Sequence, residues 1–111
     1  MATTPEGKVK GKVKKLLKER GVWYYQPMQN GMGVVGIPDF ICCVRGRFLG
    51  IETKAPGKLN TLTANQKARQ AEIINAGGWC IVIDNAEALE DFLNGNENQR
   101  QWLWVQEQEP S

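Results

Sequence analysis

The chain has 111 residues, 41% of them hydrophobic and 23% charged, with a formal net charge of +2. That suffices for one small soluble domain with a single core, and no apolar run approaches the length of a membrane span. There is no histidine, which removes Ser-His and Cys-His catalysis, helical His-Glu-x-x-His zinc sites and histidine-based nucleases, and leaves carboxylates, lysine and an oxygen-bound metal for any enzymatic chemistry.

At the N-terminus, lysines without a following apolar stretch do not make a secretory signal. The first helix is expected from Thr3-Thr4-Pro5-Glu6 to about Arg20, with Gly21 as its stop. Thr3 with Glu6 fits a capping box, and Thr4 before Pro5 fits an N-cap followed by proline at the first helical position. Its apolar stripe is Val9, Val13, Leu16 and Leu17, flanked by lysines. Glu6 continues that stripe, so it either caps the helix or points inward towards the sheet.

Val22 to Gln26 reads as a strand. The following Gly31-Met32-Gly33-Val34-Val35-Gly36 matches Gly-x-Gly-x-x-Gly only by letters. A dinucleotide fingerprint must open a helix, whereas Pro38 and a β-branched and aromatic run follow here. These glycines are read instead as sharp backbone turns close to a nucleic-acid backbone.

Residues 37–54, Ile-Pro-Asp-Phe-Ile-Cys-Cys-Val-Arg-Gly-Arg-Phe-Leu-Gly-Ile-Glu-Thr-Lys, read as two strands joined by a two-residue turn at Arg45-Gly46. Counting outward from the turn sets Val44 opposite Arg47, Cys42 opposite Leu49 and Asp39 opposite Glu52. By alternation Glu52 and Lys54 share a face, and Asp39 joins them. Two facing carboxylates repel unless a positive group lies between them, which makes a divalent metal the natural partner. Cys42 and Cys43 should point to opposite faces; with Cys80 they form no disulfide framework and read as buried, reduced thiols of a cytoplasmic protein.

Ala55-Pro56-Gly57-Lys58 breaks the strand. A second helix is expected from Thr63 to Ala76, ended by Gly77-Gly78, with Ala68, Ala71 and Ile74 inward and Thr63-Gln66 as a capping box. Trp79 to Ile83 is a continuous apolar strand, the pattern of a central position covered on both faces. Asp84 or Asn85 caps a third helix to about Leu93, with Leu89, Phe92 and Leu93 inward and Asn94-Gly95 at its end. The polar tail, residues 96–111, contains Trp102, Leu103, Trp104 and Val105, which fit a short edge strand or a contact with a second subunit. The expected fold is therefore α/β, a single domain over residues 1–95 in αβββαβα order, with a mixed central sheet flanked by helices.

Charge is graded along the chain. Residues 1–20 carry seven Lys/Arg against two Glu, and residues 21–83 six against three acids. Residues 84–111 carry one Arg against seven acids. A basic front and an acidic rear suit a polyanionic ligand approaching one side.

Pro38-Asp39, a hairpin, and Glu52-Thr53-Lys54 on the next strand resemble the PD-(D/E)XK nuclease superfamily, with its restriction-endonuclease-like fold. Within it the chain resembles a stand-alone VRR-NUC domain, the virus-type replication-repair nuclease module. Supporting features are the basic first helix bearing Glu6, Gly36-Ile37-Pro38-Asp39-Phe40, and Gly57-Lys58-Leu59 with Gln66 in the next helix. The likeness spans residues 3–93 and leaves the tail aside. It implies a structure-selective DNA endonuclease, Holliday-junction resolvase-like, acting in phage or bacterial replication and repair as a homodimer. It implies Mg²⁺ or Mn²⁺ held by Asp39 and Glu52, with the Thr53 carbonyl and Glu6 completing the sphere. Lys54 would orient or deprotonate the attacking water or neutralise the phosphate, in an in-line hydrolysis that leaves a 5′-phosphate. Gln66 would hold a water or phosphate at the ion, in competition with its capping role. Lys8, Lys12, Lys15, Arg45, Arg47 and Lys58 are candidates for phosphate contacts, or plain surface charges. A non-catalytic nucleic-acid-binding or assembly module on the same fold is the alternative; it would need the basic helix but neither Asp39 nor Glu52. A protein-interaction domain working through the acidic C-terminal third would need no nucleic acid at all.

Overall fold

The structure, a computed structural model, describes residues 3–28 and 33–95. Helix α1 (Pro5–Glu19) is followed by strands β1 (Trp23–Tyr25), β2 (Phe40–Val44) and β3 (Arg47–Thr53), helix α2 (Ala64–Asn75), strand β4 (Trp79–Ile83) and helix α3 (Ala86–Leu93). This is the αβββαβα order with one mixed four-stranded sheet. Of the two possible starts for α1 the Thr4-Pro5 one holds: Thr4 Oγ1 accepts from the Gly7 amide at 3.0 Å, and Pro5 opens the helix. The tail segment 96–111, with its Trp-Leu-Trp-Val run, lies outside the described residues.

The sheet order is β1-β2-β3-β4. The β2–β3 hairpin has the counted register, Val44 opposite Arg47 and Cys42 opposite Leu49. Arg45 (φ 50°) and Gly46 (φ 78°) form its turn, and both positive angles suit the two-residue loops that match strand twist. β4 runs parallel to β3 and is an outer strand among the described ones, not the central position that its apolar run suggested. It is nonetheless buried from Cys80 to Ile83 because helices cover both faces, and covering is what the hydrophobic pattern reports.

Alternation divides the strands between two cores. Phe40, Cys42, Val44, Leu49, Ile51, Ile81 and Ile83 face α1 and α3, where they meet Val9, Val13, Leu17, Leu89 and Phe92. Each fully buried aliphatic side chain here contributes roughly 1.5–3 kcal/mol of transfer free energy. Trp79 and Phe92 add an edge-to-face contact at 5.3 Å. The opposite face carries Cys80 and Val82 under Leu62, Ile73 and Ile74. Burial pushes the thiols of Cys42 and Cys80 up to about 12, Glu52's charge adding to the effect on Cys80; both are inert core groups. Cys43 is exposed, against expectation, because α2 leaves that part of the sheet open.

The inward face of α2 includes Ile74, as expected, but is otherwise different. Gln70 is its buried residue, with Ile73 and Ile74 partly buried, while Ala68 is exposed. The helix is rotated so that Gln66 and Gln70, one turn apart, look at the sheet. An apolarity count cannot find a helix face chosen for its amides.

Candidate active site

The β2–β3 ladder ends at Phe40 and Ile51, but β3 runs two residues further, with Glu52 beside Val82 and Thr53 beside Ile83 on the β4 side only. Asp39 stands just before β2, outside the ladder, so strand alternation does not govern it. Its carboxylate reaches Thr53: the Thr53 amide donates to Oδ2 at 2.9 Å and the Thr53 hydroxyl to the same oxygen at 2.8 Å. The Asp39–Glu52 facing pair counted from the turn is thereby replaced by a side chain that closes the open backbone edge of β3, where an amide needs an acceptor.

Two glycines set this geometry. Pro38 is buried on Gly50, where a Cβ would stand 2.9 Å from the proline ring. Gly36 has φ +90°, and a Cβ there would lie 2.4 Å from the Asn65 backbone. The glycine stretch read as an approach to nucleic acid therefore packs, at Gly36, on the protein's own α2. Arg69 reinforces the contact by donating to the Val35 carbonyl at 3.2 Å.

Glu52 is buried, at 3% exposure. Its Oε2 accepts from Gln66 Nε2 at 2.9 Å and lies 3.9 Å from Lys54 Nζ. Its Oε1 is buried with no hydrogen-bond partner. Burial foremost, then the charge of Asp39, raises the Glu52 pKa to about 8 against the opposing pull of Lys54; the charge of Glu6 adds a smaller push in the same direction. Lys54 Nζ donates to Gln66 Oε1 at 3.1 Å and to the Thr61 carbonyl at 3.4 Å.

Gln66 fills its capping role and, with the same amide, bonds two side chains of the candidate site. Its Oε1 accepts from the Thr63 amide at 2.9 Å, completing the capping box, and from Lys54; its Nε2 serves Glu52. The two donors fix the amide's orientation, because the flipped group would turn N–H towards Lys54 and the Thr63 amide.

Glu6 is neither only a cap nor fully inward. Lys10 lies between it and the sheet, 3.4 Å from Glu6 Oε2 and 3.5 Å from Asp39 Oδ1. Partial burial works to lower the Lys10 pKa, but the charges and hydrogen bonds of Asp39 and Glu6 outweigh it and hold the group above its ordinary value. Sequence reasoning missed Lys10. Its signal was the four-residue spacing from Glu6, which stacks the two side chains on one helix edge.

The other basic candidates are dispersed. Lys8 and Lys12 line a separate groove against Pro56 and the acidic start of α3, Asp84 and Glu87. Lys15 and Lys58 are exposed. Arg45 and Arg47 sit at the hairpin turn, about 16 Å along the strands from Asp39 at 3.3 Å per residue. Arg45 donates to the Leu93 carbonyl and Arg47 to the Gly77 carbonyl, and the Arg47 guanidinium lies 4.2 Å from the Trp79 ring centre.

Among the described residues no three His, Cys, Asp or Glu side chains form a ready-made metal cage. The orphaned Glu52 Oε1 nevertheless fits a hard divalent cation: it is a buried acceptor without a donor, near a second carboxylate. Mg²⁺ is commonly held by only one or two carboxylates, with water and substrate phosphate supplying the rest.

Neither a family model nor a curated protein sequence matches the chain. A solved structure described as a VRR_NUC domain matches with a TM-score of 0.69, covering 85% of this chain and 98% of that one at 19% identity. The fold is thus that of a VRR_NUC domain, a nuclease-type fold. No helix among the described residues is long and apolar enough to cross a membrane.

Proposed function

We propose that the chain is a divalent-metal-dependent endodeoxyribonuclease that hydrolyses phosphodiester bonds in branched DNA, in the manner of a Holliday-junction resolvase serving phage or bacterial replication and repair. The observation that carries the reading is Glu52: a buried carboxyl with one unpartnered oxygen, under the influence of Asp39 and flanked by Lys54. Replacing it by an apolar residue would serve the core better, since a buried unsatisfied oxygen costs about 1–3 kcal/mol.

Asp39 and Glu52, with the Thr53 carbonyl and Glu6, would hold Mg²⁺ or Mn²⁺. Bound there, the ion supplies Lewis-acid stabilisation of charge on the phosphate and its leaving oxygen. Thr53 holds Asp39 in place through Oδ2 and leaves Oδ1 for ligation. Gln66 fixes Glu52 through Oε2, so that Oε1 keeps its direction. Lys54, held by Gln66 and Thr61, sets an ammonium beside Glu52, where it orients the attacking water and offsets negative charge on the phosphate oxygens. Lys8, Lys12, Lys15, Arg45, Arg47 and Lys58 would contribute phosphate contacts whose strength falls steeply with salt. One domain carries one cleavage centre, so paired cuts in a four-way junction require a two-fold dimer, to which the tail tryptophans would contribute.

The test incubates the protein with a labelled four-way junction, a flap, plain duplex and single strand, in Mg²⁺, Mn²⁺ or EDTA, alongside Asp39→Ala and Lys54→Ala. Metal-dependent junction cutting, lost in both variants, is expected. Cutting that persists in EDTA or in Asp39→Ala overturns the mechanism, and binding without cutting in either metal favours the non-catalytic module. Light scattering that finds a monomer on junction DNA removes the dimer.

A further inference from the structure

We infer that Lys10 is the internal counter-cation of the carboxylate site and competes with the divalent ion for Asp39. The inference rests on the metal-site reading above and concerns a residue which that reading does not use.

Asp39 has two oxygens with different fates. Oδ2 is engaged twice by Thr53, through the amide and the hydroxyl. Oδ1 is the oxygen left for an ion, and it is the one that faces Lys10 Nζ at 3.5 Å. The same ammonium is 3.4 Å from Glu6 Oε2. Lys10 therefore ties together two carboxylates from separate elements, α1 and the lead into β2, as a cation bound by both would.

The two lysines of the site divide the work. Lys54 is buried at the Glu52 side and anchored by Gln66 and Thr61. Lys10 is about one-third exposed, and among the described residues its ion-pair partners are the two carboxylates themselves. A lysine on a flexible stem can leave such a pair for solvent at small cost, whereas an ammonium and a divalent ion held against the same oxygen repel each other. Ion binding thus expels Lys10 from Asp39, and the lost pair subtracts from the ion's affinity. A part-exposed ion pair of this kind sets the effect at roughly two- to fivefold in the dissociation constant.

The test is isothermal titration of Mn²⁺ into the full chain without DNA, for the wild type, Lys10→Met, Lys10→Arg and Asp39→Ala. Melting curves with and without Mn²⁺ give a second readout. Lys10→Met is expected to bind Mn²⁺ roughly two- to fivefold more tightly and to gain a larger Mn²⁺-induced rise in Tm. Lys10→Arg keeps the charge and adds a second donor, so it should bind no tighter than wild type. Should Lys10→Met fail to fold, Lys10→Gln makes the same comparison. Unchanged or weaker binding in the neutral variant overturns the inference. If the wild type binds and Asp39→Ala does not, that failure concerns Lys10 alone. Heat from none of the proteins at millimolar Mn²⁺ removes the metal site and this inference with it.

Discussion

Thr53 donates twice to a single oxygen of Asp39, through its amide at 2.9 Å and its hydroxyl at 2.8 Å. The middle residue of Glu52-Thr53-Lys54 is therefore an orienting group. The bond from the backbone amide survives a change of side chain to valine, whereas the one from the hydroxyl does not. Thr53→Val keeps the shape of a fully buried side chain and removes one charge-assisted hydrogen bond. It should cost about 1–3 kcal/mol in urea unfolding. Junction cleavage should fall roughly 10- to 100-fold, as for a residue that positions a ligand. Cleavage at the wild-type rate would mean that Asp39 needs no such support.

Glu52 makes the metal-free protein sensitive to pH. Its pKa is about 8 in the folded state, against an ordinary value of 4.5. Between those values the folded protein holds a proton that the unfolded chain has released, so stability falls as pH rises from about 4.5 to about 8 and levels off above. The slope integrates to an order of a few kcal/mol. Glu52→Gln should abolish this component, so that wild type minus variant isolates it in urea titrations at several pH values without metal. Divalent ions need the ionised carboxyl, so their affinity should climb with pH over the same window, by up to about tenfold per unit. A pH-independent affinity for Mn²⁺ would exclude Glu52 as a ligand.

The fold was largely legible from local signals. Caps and glycine stops bound α1, α2 and α3, and the Arg45-Gly46 turn sets the hairpin register without any tertiary information. The site was legible only where strand alternation applied, which placed Glu52 and Lys54 on one face. Asp39 lies one residue beyond the ladder, and there the counted register no longer predicts a partner. Lys10 was hidden among equivalent lysines because its significance depends on how α1 crosses the sheet. The inward face of α2 was legible at Ile74 but not at Gln66 and Gln70, two amides that hydrophobic periodicity does not register.

Gly36 and Gly33 separate backbone need from mere loop composition. Gly36 combines φ +90° with a Cβ position 2.4 Å from the Asn65 backbone, while a Cβ at Gly33 meets nothing within 4 Å. Gly36→Ala must displace either the Pro38-Asp39 lead or the start of α2, and should cost upwards of about 2 kcal/mol along with most of the cleavage activity. Gly33→Ala should leave stability within about 0.5 kcal/mol of wild type in the same denaturation series. Equal effects at the two positions would refute the claim that the close packing of Gly36 on the start of α2 sets the geometry of the site.

Gln66 allows capping and site chemistry to be pulled apart. Gln66→Ala removes the acceptor for Thr63 and for Lys54 and the donor to Glu52 together, so a loss of about 1–3 kcal/mol and a strong fall in cleavage are expected. Gln66→Glu retains the acceptor that a capping box needs and pairs with Lys54, yet it sets a carboxylate against Glu52 Oε2 where an N–H had donated at 2.9 Å. Its helix cap should therefore persist while the two carboxylates compete for Lys54. Thermal melts near pH 5, where Glu52 carries its proton, should show Gln66→Glu closer to wild type than Gln66→Ala. At pH 9, with Glu52 ionised, the order should narrow or reverse. Cleavage by Gln66→Glu at the wild-type level across that range would show that the amide serves the helix alone.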